Sequence, residues 1–263
     1  MRVRGNIFWG SVLVLLAALL FLHQQEILPV DLWDVFWPAA IILVGIWLIV
    51  SVIAGPKVVA GEAVSIPLQG ATGAHIKLEY GAGKLTLGSG TGPAEIINGV
   101  FTYGLESKST LAGDKLVVEM KPTSRFWNWV PGTGLNWDVK VNQDIPLSLD
   151  IDAGASTSII DLTDLKVSKT TIDTGASSTD IKLPADLNMT YLEISAGAST
   201  LNVHVPKGTA ARIQIESGMA TINVNADRFP KQERNLYESP DYATANKRAD
   251  IRIDTGVSTV NVD

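Results

Sequence analysis

Acidic side chains recur two positions ahead of a glycine at Asp152, Asp173, Glu216 and Asp254, with Glu79 in the equivalent place of an earlier, degenerate copy. Stacked on one another, such carboxylates could gather the six to eight oxygens that calcium takes. Ser195 interrupts the series, however, and the glycine/aspartate nonapeptide of calcium-binding β-rolls is absent. A carboxylate beside a turn more commonly accepts backbone N–H groups, so a structural role is expected.

The other chemistry-bearing residues are scattered. His23, His75 and His204 lie far apart, and none sits in an H-x-x-x-H or H-E-x-x-H arrangement, which argues against metal or acid–base work. Serines that follow a Gly-x step, such as Ser156 after Gly154-Ala155, lack both the G-x-S-x-G elbow and a partner histidine. The stretch GSGTGP (88–93) lacks the Gly-Lys-Ser/Thr ending of a phosphate loop and reads as a turn. The chain has no cysteine, which removes disulfides, thiolate metal sites and cysteine nucleophiles together. No catalytic residue, metal site or cofactor is therefore expected.

Two irregular segments are better candidates, because binding concentrates on loops held by a rigid scaffold. The first, TSRFWNWVPGTGLNW (123–137), gathers Phe126, Trp127, Trp129 and Trp137. An apolar plug closing one end of a β stack is its first reading. Docking into the membrane interface, where tryptophan settles, and a protein-binding patch are the others. The second is an insertion at 226–249 that mixes charges with Phe229, Tyr237 and Tyr242. It is expected to cross and cap the stack, with a partner site as the alternative.

The elements that would position these loops are β strands. Beyond Pro56, short runs of Ile, Val, Leu and Thr alternate with polar residues and are punctuated by Gly, Asp and Ser. The segments IDAGASTSIIDL (151–162), IDTGASSTDIKL (172–183), ISAGASTLNVHV (194–205), IESGMATINVN (215–225) and IDTGVSTVNVD (253–263) align on Gly154, Gly175, Gly197, Gly218 and Gly256. Apolar residues alternate up to each glycine and resume with the opposite parity after it, which signals a corner or bulge. The economical structure is a repeat-built, single-stranded β-helix or β-solenoid-like domain in which each copy buries its apolar face against its neighbours. Asn202, Asn223 and Asn261 would then share one outer register, and Ser156, Ser177, Ser199 and Ser258 would form another series beside the corner. A two-sheet sandwich of hairpins is the rival and would not stack matching residues.

The first 55 residues differ. IFWGSVLVLLAALLFL (7–22) and VFWPAAIILVGIWLIVSVIA (35–54) carry no charge. At about 1.5 Å per residue the longer run crosses a hydrocarbon core of roughly 30 Å. Both are read as membrane spans in an antiparallel α-helical hairpin (1–55), with Trp9, Trp33, Phe36 and Trp37 near the interfaces. A cleaved signal peptide is the rival for the first run, but no small-x-small site follows Leu22. Arg2, Arg4 and Lys57 flank the hairpin and its linker has no Lys or Arg, so the positive-inside rule points both ends to the cytoplasm. Beyond the hairpin lie 19 of the 21 basic and 24 of the 27 acidic side chains. That diffuse acidity gives a nucleic-acid partner no clustered basic patch to use.

Several stretches resemble a known family. Arg2 to Gly5 and FWPAAIILVG (36–45) look like the LiaI/LiaF-like transmembrane region. NWDVKVNQDIPLSLDIDAGAS (136–156), DLTDLKV (161–167) and YATANKRADIRIDTGVSTVNVD (242–263) resemble the toast-rack, or LiaF-like C-terminal, β domain. The resemblance implies a bacterial membrane protein tied to cell-envelope stress, in which LiaF-type members restrain a sensor histidine kinase. It carries no catalytic residues. The chain has two spans where longer LiaF members have more, and related domains also occur in adhesin-type proteins. The organisation expected is thus a membrane α-helical hairpin at 1–55 and an all-β domain at 56–263, with the clearest repeats over 149–263. The function expected is a non-enzymatic, membrane-anchored regulator or scaffold, whose partners are the lipid bilayer and another membrane or envelope protein. The rival is an adhesin-like module that self-assembles as a homo-oligomer through an open stack end.

Overall fold

The computed structural model describes residues 61–123 and 135–263, together with Trp37, Pro38, Ile41, Ile42 and Gly45. Those five N-terminal residues are helical. Among the described residues no helix is long and apolar enough to cross a membrane. The two apolar runs lie almost wholly outside the described residues.

The β unit is one twelve-stranded sheet. Its strands are β1 (Glu62–Pro67), β2 (Gly73–Ser89), β3 (Glu95–Phe101), β4 (Leu105–Ala112), β5 (Lys115–Pro122), β6 (Leu135–Val141), β7 (Leu147–Asp161), β8 (Val167–Lys182), β9 (Met189–His204), β10 (Ala210–Val224), β11 (Leu236–Glu238) and β12 (Arg248–Val262). Six long strands run parallel in the spatial order β2-β7-β8-β9-β12-β10. Each contains one copy of the glycine-centred pattern. Equivalent residues lie side by side, as in the row Leu78, Ile151, Ile172, Ile194, Ile253 and Ile215. The last copy does not follow the fourth in space: β12 lies between β9 and β10.

Each long strand turns over at its glycine. In β7, Leu147, Leu149, Ile151 and Ala153 are buried before Gly154, and Ser158 and Ile160 after it. On a straight strand those two sets would face opposite sides of the sheet. Both instead belong to one apolar core, so the chain doubles back at the glycine and its two halves enclose the core between them. Complete burial of each Leu, Ile or Val in that core stabilises the fold by about 1.5–3 kcal/mol before entropy is counted.

The glycines themselves form a column. A Cβ on Gly154 would lie 2.5 Å from the carbonyl oxygen of Gly81, one on Gly175 3.0 Å from that of Gly154, and one on Gly197 2.7 Å from that of Gly175. The series continues with Gly256 against Gly197 at 2.7 Å and Gly218 against Gly256 at 3.1 Å. Glycine is required here by close backbone approach rather than by a left-handed conformation.

The β2 end of the stack is covered along its whole length. The first half of β2 pairs with β5, which β4 extends, and the second half pairs with β6, which β3 and β1 extend. Trp137 of β6 is fully buried there, 5.2 Å edge-on from Phe101 and 5.9 Å from Tyr80. Burial pushes the Tyr80 phenol above its usual range. Its oxygen lies 2.5 Å from the Ser158 hydroxyl.

Candidate functional site

The aromatic candidates fall into three groups. Phe126, Trp127 and Trp129 lie outside the described residues. Trp137 is corrected: it is a core residue of a strand, in phase with buried Leu135, Val139 and Val141, and has no surface to offer a partner or a membrane. Phe229 and Tyr242 are corrected likewise, since both are buried beneath the segment that crosses the β10 end. Tyr237, on β11, is half-buried and has the Lys231 ammonium 5.5 Å above its ring.

That crossing segment is fastened by backbone and charge. The Ser239 N–H donates to the Ala211 carbonyl and the Ser239 hydroxyl accepts from the Ala211 N–H, each at 2.9 Å. Arg212 pairs with Glu238 at 2.5 Å and lies 4.5 Å over the Tyr242 ring. The Arg228 guanidinium donates to the carbonyls of Val205 and Pro206 at 2.8 and 2.9 Å, which anchors the turn that inserts Phe229.

The exposed chemistry lies instead on the outer side of the second half-strands. Asp180, Asn202, Asn261 and Asn223 occupy one row. The Asn223 amide donates to Asn261 at 2.8 Å, and Asn261 donates to Asn202 at 2.7 Å. Each such bond is worth about 1 kcal/mol, less at this exposure. The neighbouring row holds Asp161, Lys182 and His204. The Lys182 ammonium lies 3.0 Å from Asp161; His204 Nδ1 lies 2.6 Å from Asp263 and Nε2 3.5 Å from Asp180. Burial raises the Asp161 carboxyl, but the Thr163 hydroxyl and backbone N–H and the Lys182 ammonium outweigh it and hold the group below its usual range. These rows border an open groove of about 480 Å³ lined by Asn202, His204, Asn223, Asn225, Asn261 and Asp263.

The acidic series forms its own row, Glu79, Asp152, Asp173, Ser195, Asp254 and Glu216. Glu79 takes a 2.8 Å contact from Lys77, and Glu216 accepts from the Gln214 amide at 3.0 Å. Among the described residues no three His, Asp or Glu side chains are grouped so as to hold a metal ion. The polar rows thus offer hydrogen bonding over a rigid, regularly spaced face. Period-two alternation signals the asparagine row in the sequence, whereas His204 with its two carboxylates depends on strand order and escaped notice.

A parallel stack of bent strands, flanked by antiparallel strands and bearing side-chain ladders outside, defines an all-β module. The chain belongs to the toast_rack family: the model for the N-terminal domain of toast_rack, DUF2154, matches residues 55–204. The LiaI-LiaF-like transmembrane region matches residues 7–49, so the module is attached to a membrane anchor. The fold is shared with a solved structure described as a "putative cell adhesion protein" from Clostridium sporogenes ATCC 15579, at a TM-score of 0.71 and 21% identity over 79% of this chain and 98% of that one. No curated protein matches the chain.

Proposed function

We propose that the protein is a non-enzymatic, membrane-anchored regulatory or scaffold protein of the cell-envelope stress response, in which the β stack presents its polar rows and loops to another membrane or envelope protein. The carrying observation is the junction itself: a LiaI-LiaF-like anchor ending at residue 49 joins, within a few residues, a rigid β module beginning at 55. Two spans place the module on the cytoplasmic face in this reading, and its copies act as coils of a β-helix. The test is an envelope-stress reporter driven by a membrane sensor kinase, measured with the full chain and with residues 56–263 alone. The anchored chain is expected to change reporter output and the released domain to lose that effect. Unchanged output from both, or substrate turnover by the purified chain, overturns the proposal.

A second reading, an adhesin-like module facing outward, is favoured by the fold shared with the Clostridium protein. Reporters active only inside or only outside the cell, fused after Asp263, separate the two. External activity supports the second reading and contradicts the charge argument from Arg2, Arg4 and Lys57.

A further inference from the structure

The β10 end of the stack is closed over only half its length. β11 pairs with β10 through Arg212, Ile213 and Gln214, and the second half of β10, from Gly218 to Val224, has no strand on its outer side among the described residues. Its Met219 is 74% exposed, and Ile222 and Val224, which belong to the core-facing set, are only half-buried. The Asn225 N–H donates to Val262 on the inner side. By alternation, the N–H and C=O groups of Ala220, Ile222 and Val224 point outward, away from β12.

Exposed edges are ordinarily blunted with lysine, proline or other charge. This one is not. From Ser217 to Ala226 the sequence SGMATINVNA contains no charged residue and no proline. In the interior copies the matching half-strands carry Asp161, Asp180 with Lys182, and His204. The matching half of interior β12, residues 257–262, is also free of charge, but it ends at Asp263 where the open copy has Asn225.

We infer that this half-edge is a homodimer interface, in which Gly218 to Val224 of one molecule pairs antiparallel with the same segment of a second copy about a two-fold axis at Thr221. Three observations select that occupant. Centring on Thr221 is the register that gives every residue of the half-strand a partner: Gly218 with Val224, Met219 with Asn223, and Ala220 with Ile222. It keeps the core-facing set on one side, so Ala220 and Ile222 of both copies continue one apolar layer while Met219, Thr221 and Asn223 stay outside. It also brings no like charges together, because Glu216 falls opposite Ala226, and Asp227 opposite Ile215. Two-fold pairing uses this same half-edge in both copies, so the contact is satisfied at two molecules rather than growing into a filament. The inference holds under either reading of the module's role.

Cross-linking on the full chain in detergent or nanodiscs tests it directly, because the protein has no native cysteine. Thr221 meets its own copy at the axis in a non-hydrogen-bonded pair, where Cα atoms lie about 4.5 Å apart, within disulfide reach. Thr221→Cys is expected to yield a disulfide-linked dimer under mild oxidation. Thr259→Cys, at the matching position of interior strand β12, is expected to stay monomeric. In sedimentation, the wild-type mass is expected to be twice that of the chain, and Thr221→Lys, which changes an exposed side chain, is expected to halve it. A wild-type chain that is monomeric at every concentration, a Thr221→Cys variant that does not cross-link, or equal cross-linking at positions 221 and 259 overturns the proposal.

Discussion

The two ends of the stack solve the same problem unequally. At the β2 end each half of that strand has its own covering strands, β5 with β4 over the first and β6 with β3 and β1 over the second, and Trp137 of β6 packs against Tyr80 and Phe101. At the β10 end, among the described residues, a single crossing segment holding Phe229 and Tyr242 covers the first half and leaves the second bare. A doubled-over coil thus has two edges to protect, and a lid over one does nothing for the other.

Truncating the two aromatic plugs breaks this comparison most severely. Trp137→Ala empties a fully buried site shared by three rings, and a loss of about 4 kcal/mol in unfolding free energy is expected from denaturant titration of the full chain. Phe229→Ala removes an equally buried but smaller ring. A loss of about 3 kcal/mol is expected, with hydrogen exchange rising in β10 and β11 before β7. Equal exchange across all strands would show that the ends are not separate cooperative units.

The glycine column sharpens the contrast with a graded series. Gly154→Ala forces a methyl to 2.5 Å from the Gly81 carbonyl deep in the stack, and a loss of about 3 kcal/mol is expected. Gly218→Ala, with 3.1 Å to the Gly256 carbonyl and an open edge on its other side, should lose less than about 1 kcal/mol. Gly81→Ala meets nothing within 4 Å, because no column member precedes it, and is expected to be neutral or stabilising by about 0.5 kcal/mol. Melting curves that place the three variants together would refute the column as the source of the constraint.

Smaller effects follow on the outer rows. Asn261→Ala breaks two amide bonds and Asn223→Ala one, so the first should lose about 1 kcal/mol and the second about half that. Smallest is the pH response of Asp161. Its carboxyl is held below the usual range in the folded state, so its contribution is present above the unfolded value of about 3.9 and fades as pH falls through the folded value. Asp161→Asn is expected to flatten the stability profile in that acid window only. A residual slope equal to wild type would assign the effect elsewhere.

Much of this architecture was legible in the residues. The parity switch around Gly154, Gly175 and Gly197 located the corners, because alternation along a strand is strict and its breach has few causes. The row of Asn202, Asn223 and Asn261 followed from the same periodicity. Strand order was not legible: nothing local in VSTVNVD distinguishes a strand between β9 and β10 from one outside both, since all copies share the same inward pattern. Trp137 is buried at one end of the stack, as the apolar-plug reading has it, but it belongs to a strand rather than a loop, as the alternation of Leu135, Trp137, Val139 and Val141 indicates. Phe229 and Tyr242 were hidden for another reason. They lie in a charged segment, and their burial is set by the fastening of Arg228 and Ser239 to strands distant in sequence.

The position of β12 also has a mechanical consequence. A pull transmitted through Asp263 loads a strand gripped along its length by β9 on one side and β10 on the other. Two ladders must shear together before that strand yields, whereas a pull entering through β1 at Glu62 meets a single short antiparallel pairing with β3. The module is therefore stiff toward one attachment and compliant toward the other. In sequence the compliant strand is the one that follows the anchor, so tension between anchor and stack would be taken up in β1 before it reached the coils.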